Sequence, residues 1–342
     1  MPNLQFNNEA EWLSIRDSHV GGSEVAALFN LWRDPSGSEA VRHLFEAVPE
    51  GAELLGGLSP HMTGYRLYCQ KAGKVMPDDL SEAERVRAGQ FLEPAIASWA
   101  KDKWKWKLNK SRVYTVHPEV KGWGASLDYF SQEPGQPPVD VKNVDALIFR
   151  DQWEITGGEI EKIPLHIVLQ LQHQMGARGA GATESWVLAC VGGNRLERGK
   201  VHRHEPTQKK IRDAITAFWG AVELGIEPAD LDYATVSELY AFGDKGLPPV
   251  DLVGHEPANR AARRFYRWSA HLKRVEAHVD RMKATIGNYM TGSTKAVFDD
   301  LEASWPVTTR QAGTISYEVS EKTYRMGLTV KPKKAPKPTK AA

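Results

Sequence analysis

The sequence predicts an α/β fold, because strand-like apolar runs and helix-spaced apolar patterns interleave over the first 228 residues. Gly124 to Phe130, Pro138 to Val144 and Ser185 to Val191 read as strands of a buried sheet. Ser23 is placed to cap a helix carrying Val25, Ala26, Leu28 and Phe29. Over Ser81 to Trp99, the residues Val86, Leu92, Ile96 and Trp99 fall at roughly helical spacing, with Pro94 expected to start or kink a turn. Pro164 to Met175 is apolar on one face and carries Gln170 and Gln174 on another, which suits a helix packed on the sheet. Thr207 can cap a helix whose stripe is Ile211, Ile215, Phe218 and Val222, with Gly225 and Pro228 as its stop signals.

Beyond this, 229–256 is turn-rich and weakly periodic, holding Gly243, Gly246, Pro248, Pro249 and Gly254, and reads as a linker. Residues 257–330 read as a helical, coiled-coil region with a small β segment. In it Phe265, Trp268, Leu272, Val275, Val279, Met282, Ile286 and Tyr289 alternate at spacings of three and four, over about four heptads. Residues 331–342 combine Lys, Pro and Ala with nothing to bury and read as a disordered basic tail. The resulting organisation is a first domain over 1–228, the linker, the helical region and the tail.

With 41% hydrophobic and 25% charged residues in 342, the composition is that of an ordinary globular protein, which excludes global disorder and collagen. No run approaches the roughly 18 apolar residues of a membrane span, and Met1-Pro2-Asn3-Leu4-Gln5 lacks a basic start followed by an apolar stretch. A cytoplasmic location is expected. Cys69 and Cys190 belong to no CxxC or Cys/His cluster, so a zinc site or disulfide scaffold is disfavoured and both read as packing residues. The net charge of +1 names no partner. Its distribution is more informative: basic residues gather at Lys101 to Arg112, Arg260 to Lys283 and Lys331 to Lys340.

The chemistry-bearing feature is Asp128, followed after a Pro/Gly turn by Asp140-Val141-Lys142. On a strand, residues i and i+2 share a face, so Asp140 and Lys142 emerge side by side while Val141 packs behind. A hairpin connection through Glu133 to Pro138 brings Asp128 beside Asp140. The similar triplet Glu119-Val120-Lys121 lies in a turn, between Pro118 and Gly122-Trp123-Gly124, and has no such context. Converging carboxylates repel unless a divalent cation sits among them, and hard oxygen ligands select Mg²⁺ or Mn²⁺. A neighbouring ammonium can orient water or stabilise charge on a phosphate. The chemistry implied is phosphodiester hydrolysis. In Gln170-Leu171-Gln172-His173-Gln174-Met175 the three glutamines do not share one helix face, and His173 reads as a structural histidine. No P-loop, dinucleotide fingerprint or Ser/His/Asp arrangement is present.

In chain order, Arg16 with Gly21-Gly22-Ser23-Glu24, Gly89 with Leu92-Glu93-Pro94, Ala125-Ser126-Leu127-Asp128, Val139-Asp140-Val141-Lys142 and Gln170 to Met175 resemble the lambda-type exonuclease / YqaJ-like viral recombinase family of the PD-(D/E)XK nuclease superfamily. The resemblance covers roughly 9–228. It implies a PD-(D/E)XK nuclease core with a central mixed sheet flanked by helices, here followed by a long C-terminal helix and a small β-containing segment. It further implies that Asp128, Asp140 and the carbonyl of Val141 hold two Mg²⁺ ions, with Mn²⁺ as a substitute, and that Glu93 adds a carboxylate. Lys142 then positions the attacking water and Gln170 supports the site. Arg16, Ser23 and Ser126 occupy the places that hold a 5′-terminal phosphate. Asp140 stands where many relatives carry Glu, 32–60 is an insertion, and 257–330 has no counterpart in the minimal nuclease.

The function implied is a Mg²⁺-dependent 5′-to-3′ exonuclease resecting double-stranded DNA ends in phage-type recombination. Its implied partners are a single-strand annealing protein and further copies of itself, as a ring trimer, in the cytoplasm of a bacterial host. A metal-dependent endonuclease with the same site, and a non-catalytic DNA-end binding module, are the competing readings.

Overall fold

The computed structural model describes residues 3–6, 8–242 and 246–307, and the chain forms two compact units divided after Leu239. The first unit opens with strand β1 (Asn3–Gln5) and helix α1 (Glu9–Asp17), where the Asn8 side chain caps the Glu11 amide. In place of the helix expected after Ser23 there is one 3₁₀ turn, Val25–Leu28. Its four residues are all buried, so the run offers no polar face for an amphipathic helix. Phe29 already belongs to β2 (Phe29–Arg33), which pairs with β3 (Glu39–His43) and β4 (Glu53–Gly57) in an antiparallel sheet. Much of the 32–60 insertion is therefore folded β structure.

Helix α2 (Gly64–Lys71) is capped by Thr63, and α3 (Glu84–Trp104) follows. The latter runs through Pro94, where the sequence suggests a turn. Only Ile96, Ala97 and Ala100 of α3 are buried. Val86 and Leu92 stay exposed because the helix meets the sheet through its C-terminal half, and Trp99 stays exposed because it lies off the face that Ile96, Ala97 and Ala100 share.

Strands β5 (Leu108–Lys110), β6 (Val113–Val116), β7 (Gly124–Ser126), β8 (Tyr129–Ser131) and β9 (Pro138–Val144) come next. The expected single strand from Gly124 to Phe130 is two: β7 pairs with β6 in the sheet β1-β6-β7, whereas β8 belongs to the main sheet. The chain changes sheets at Leu127-Asp128. Helix α4 (Ala146–Gln152), β10 (Glu154–Thr156), β11 (Glu159–Lys162), α5 (Leu165–Ala177), β12 (Glu184–Val191) and β13 (Arg195–His202) complete that sheet and its cover.

The main sheet has seven strands in the order β10-β11-β13-β12-β9-β8-β5. It is mixed, since β9 runs parallel to β12 and β11 parallel to β13 while the other neighbours are antiparallel. Central β12 shows why its sequence is apolar without alternation. Trp186, Leu188 and Cys190 pack on one face with Ile96, Ala97 and Ala100 of α3. Val187, Ala189 and Val191 pack on the other with Ile167 and Leu171 of α5 and Phe149 and Trp153. Burying each such aliphatic side chain stabilises the fold by about 1.5–3 kcal/mol.

Helix α6 (Glu205–Leu224) starts after His204, not at Thr207; Pro206 sits in its first turn and Thr207 Oγ1 bonds His204 Nδ1 at 2.8 Å. Its Ile211, Ile215 and Phe218 are buried, and Gly225 in the left-handed region ends it. The stretch read as a linker begins with structure: α7 (Tyr233–Leu239) belongs to the first unit. Asp230 accepts from Asn30, Asp232 from Thr63 and Glu238 from Arg66, at 3.1, 2.5 and 2.7 Å.

The second unit contains α8 (Glu256–Met290), a 35-residue helix, and the hairpin β14 (Lys295–Val297) and β15 (Glu302–Ser304). Trp305 packs where a side chain on Gly287 would stand. The stripe from Phe265 to Tyr289 is exposed along its length. Residues 308–330 and the tail 331–342 lie outside the described residues. No helix among the described residues is long and apolar enough to cross a membrane.

Candidate active site

Strand β9 turns Val139 and Val141 toward the α3 side of the sheet and therefore Asp140 and Lys142 toward α5. Asp140 is 1% exposed, yet both of its oxygens are engaged. Oδ1 accepts from Gln170 Nε2 at 2.6 Å and Gln174 Nε2 at 3.0 Å. Oδ2 lies 2.7 Å from Lys142 Nζ as an ion pair, without a well-directed hydrogen bond.

Asp128 arrives from the break between β7 and β8. The pairs Tyr129 with Val139 and Phe130 with Pro138 put it at the next position along β9. Its Oδ2 accepts the Val141 N–H at 2.8 Å. Burial first, and the charge of Asp140 second, push its carboxyl up to about 7, against the opposing pull of Lys142 and the Val141 N–H. Burial works against the Lys142 charge, but Asp140 and Asp128 outweigh it and hold its ammonium above the usual lysine range. Above about pH 7 the two carboxylates carry one more negative charge than Lys142 balances, and below it Asp128 holds a proton instead.

That surplus, an Asp140 oxygen held only by the Lys142 ion pair and an all-oxygen donor set fit a hard divalent cation. The ion pair that Glu93 makes is with a lysine outside the pair. Its Oε1 lies 3.1 Å from Lys110 Nζ, and it reaches Asp128 only through its field. Among the described residues no group of three His, Cys, Asp or Glu side chains is arranged to hold a metal.

The sequence places Gln170 and Gln174 on one helix face but gives a site role to Gln170 alone. Gln170 and Gln174 are four residues apart, so one helix face presents both amides to one carboxylate. Gln172 faces elsewhere and joins His202, His204 and Gln208. His173 is fully buried against Trp123, and burial lowers its pKa to about 3, as suits a structural histidine.

A second cluster lies around Arg16. Its guanidinium stands 4.7 Å from the centroid of the Trp12 ring, and Trp12 Nε1 donates to Ser126 Oγ at 2.8 Å. Arg16 Nη2 pairs with Glu24 Oε1 at 3.1 Å, and Lys71 Nζ pairs with Glu24 Oε2 at 3.1 Å. Trp12, Glu24 and Lys71 were not foreseen as site residues. Glu24 stands in the Gly21-Gly22-Ser23-Glu24 motif without a role assigned to it, and Trp12 stands four residues before Arg16 in one helix. Ser23 sits exposed in the turn before the 3₁₀ segment and caps no helix. A Cβ on Gly22 would stand 3.3 Å from Gln170 Cγ and 3.6 Å from Gln174 Cγ, so this turn rests on the helix face that holds Asp140. Ser126 links the clusters from the other side, two residues before Asp128.

Residues 11–181, which contain both clusters, match the family described as the YqaJ-like viral recombinase domain. The chain belongs to this family. A YqaJ relative, the uncharacterized protein YqaJ of Bacillus subtilis, is 25% identical over 231 residues, or 67% of this chain. The match spans 61% of that relative's length. Among solved structures, the YqaJ-like chain is similar to an alkaline exonuclease (LHK-Exo) from Laribacter hongkongensis, at 16% identity and a TM-score of 0.45, covering 64% of this chain and 94% of that one. The complex of LHK-Exo with dAMP gives a TM-score of 0.43 at the same identity and coverage.

Proposed function

We propose that this YqaJ-like protein is a Mg²⁺-dependent exonuclease that resects double-stranded DNA from its 5′ ends in phage-type recombination. The observation that supports this most is buried Asp140, clamped by two glutamine amides and a lysine with a second carboxylate, Asp128, alongside. Asp128, Asp140 and the Val141 carbonyl would hold Mg²⁺ or Mn²⁺, with Glu93 brought in as a further carboxylate. Such an ion supplies Lewis acidity at the scissile phosphate.

The chain's own residues do the rest. Gln170 and Gln174 fix the Asp140 carboxylate. Lys142, kept charged by both aspartates, orients the attacking water and stabilises charge growing on the phosphate. Arg16 and Ser126, with Ser23 on the adjoining turn, hold a 5′-terminal phosphate, and Arg16 offers a planar donor fork suited to it. The DNA end is thereby set in register with the hydrolytic site. A single-strand annealing protein and further copies of this chain, as a ring trimer, are the partners proposed, in the cytoplasm of a bacterial host.

The test is digestion of linear duplex bearing a 5′-phosphate or a 5′-hydroxyl, and of covalently closed circular duplex, with and without Mg²⁺. Metal-dependent shortening of linear DNA alone is expected. Cleavage of intact circles would favour an endonuclease, and turnover-free binding a DNA-end module.

A further inference from the structure

Lys71 is among the least exposed lysines of the first unit, with 6% of its side chain accessible. It lies at the end of α2, beside the Arg16 cluster. Its ammonium lies 3.1 Å from Glu24 Oε2 and donates to Glu24 Oε1 at 3.3 Å and to the Arg16 carbonyl at 2.8 Å. Glu24, itself 7% exposed, also accepts the Gly21 N–H at 2.8 Å and takes one end of the Arg16 guanidinium at 3.1 Å. A buried carboxylate therefore stands between two cations, one internal and one 27% exposed at the surface.

The charge balance decides what Arg16 can do. With Glu24 as its only neighbour, Arg16 would be half of a neutral pair, and an incoming phosphate would have to displace or repel a buried anion. With Lys71 present, Glu24 is neutralised from inside. Its carboxylate then only orients the guanidinium, while the other Arg16 donors have no hydrogen-bond partner among the described residues. The cluster keeps one net positive charge at its mouth, within reach of charge-assisted bonds to a phosphate.

We propose that Lys71 is a positioning residue for terminal-phosphate recognition: by neutralising Glu24 from within, it leaves the Arg16 charge free for a 5′-phosphomonoester. This rests on the assignment of Arg16 to the terminal phosphate, and it makes the preference for phosphorylated ends depend on a residue that acts through Glu24.

The experiment measures binding of blunt duplexes bearing a 5′-phosphate or a 5′-hydroxyl by fluorescence anisotropy in metal-free buffer, and takes the ratio of the two affinities. Arg16→Ala tests the underlying assignment; an unchanged ratio there overturns it. Given a collapse with Arg16→Ala, Lys71→Met is expected to lower the ratio about tenfold, the scale of one charge-assisted contact. The double variant Lys71→Met/Glu24→Gln restores the net charge and is expected to recover the ratio, which a merely structural role for Lys71 would not allow. A Lys71→Met ratio equal to wild type, or a double variant no better than the single, overturns the proposal. Should Lys71→Met fail to fold, as read by thermal unfolding, Lys71→Gln keeps a donor for the Arg16 carbonyl while removing the charge, and the same comparison applies.

Discussion

Asp128 accepts the backbone N–H of Val141 at 2.8 Å, just past the point where pairing between β8 and β9 stops. A side chain thus takes over a ladder position that the neighbouring strand has vacated. Within a strand the N–H and C=O of one residue point to the same edge. The Val141 carbonyl therefore faces the edge where Asp128 lies, next to Asp140, and three oxygen donors come from one short stretch of hairpin.

Asp128→Asn and Asp140→Asn are each expected to reduce Mg²⁺-dependent digestion of duplex DNA by about a thousandfold or more, since metal and polar-charge stabilisation are worth several kcal/mol. Lys142→Ala should fall similarly. Glu93→Ala should instead raise the Mg²⁺ concentration needed for half-maximal rate. Initial rates across a Mg²⁺ titration read all four variants.

The Asp128 carboxyl gives a pH signature. Its pKa in the fold is about 7 against an ordinary 3.8. The metal-free fold binds this proton more tightly than the unfolded chain does. The stabilisation is complete below about 4 and is lost as pH rises through about 7. Thermal unfolding in chelator should show the wild type losing stability relative to Asp128→Asn across that window. Mg²⁺ above pH 7 should raise the midpoint of the wild type and leave that of the variant nearly unchanged.

Gln174→Ala is expected to cost about tenfold in activity or metal affinity, as loss of a group that orients a ligand does. The fold should persist, because Gln170 still satisfies Asp140 Oδ1. The double variant Gln170→Ala/Gln174→Ala should lose more than either alone, and rates at saturating and limiting Mg²⁺ separate the two effects.

Much of this site was legible in the residues. The Asp128, Asp140 and Lys142 arrangement follows from strand period and a Pro/Gly hairpin, both local rules. The sheet change at Leu127-Asp128 did not show, because Gly124 to Phe130 is apolar enough for one strand and only long-range pairing with β6 divides it. The Ser23 helix failed for the reverse reason: Val25 to Leu28 is buried on every side, a tertiary condition that no period reveals. Lys71 and Glu24 lie 47 residues apart and meet only because α2 packs beside the turn.

Arg16→Ala and Ser126→Ala should slow digestion of 5′-phosphorylated ends more than 5′-hydroxyl ends. Trp12→Phe keeps a ring beneath Arg16 but removes the N–H that holds Ser126 Oγ, and should give a smaller loss of the same selectivity. Competition between the two substrates in one reaction measures the ratio directly.

In the second unit, the exposed heptad stripe is expected either to join copies of the chain or to leave the basic residues Arg263, Arg267, Arg274 and Arg281 to hold DNA. Leu272→Asp/Val279→Asp should lower the mass seen by light scattering in the first case. In the second, charge reversal at Arg267 and Arg274 should shorten the DNA length released per binding event without abolishing hydrolysis.

The most direct measurement is time-resolved digestion of a linear duplex labelled at the 5′ end of one strand in one sample and at the 3′ end in another, with Mg²⁺ and with chelator. The 5′ label is expected to appear first, as a mononucleotide, while 3′ label stays on shortening single strands and chelator stops both. Release of 3′ label first, internal cuts in a closed circle, or equal turnover in chelator would contradict this expectation.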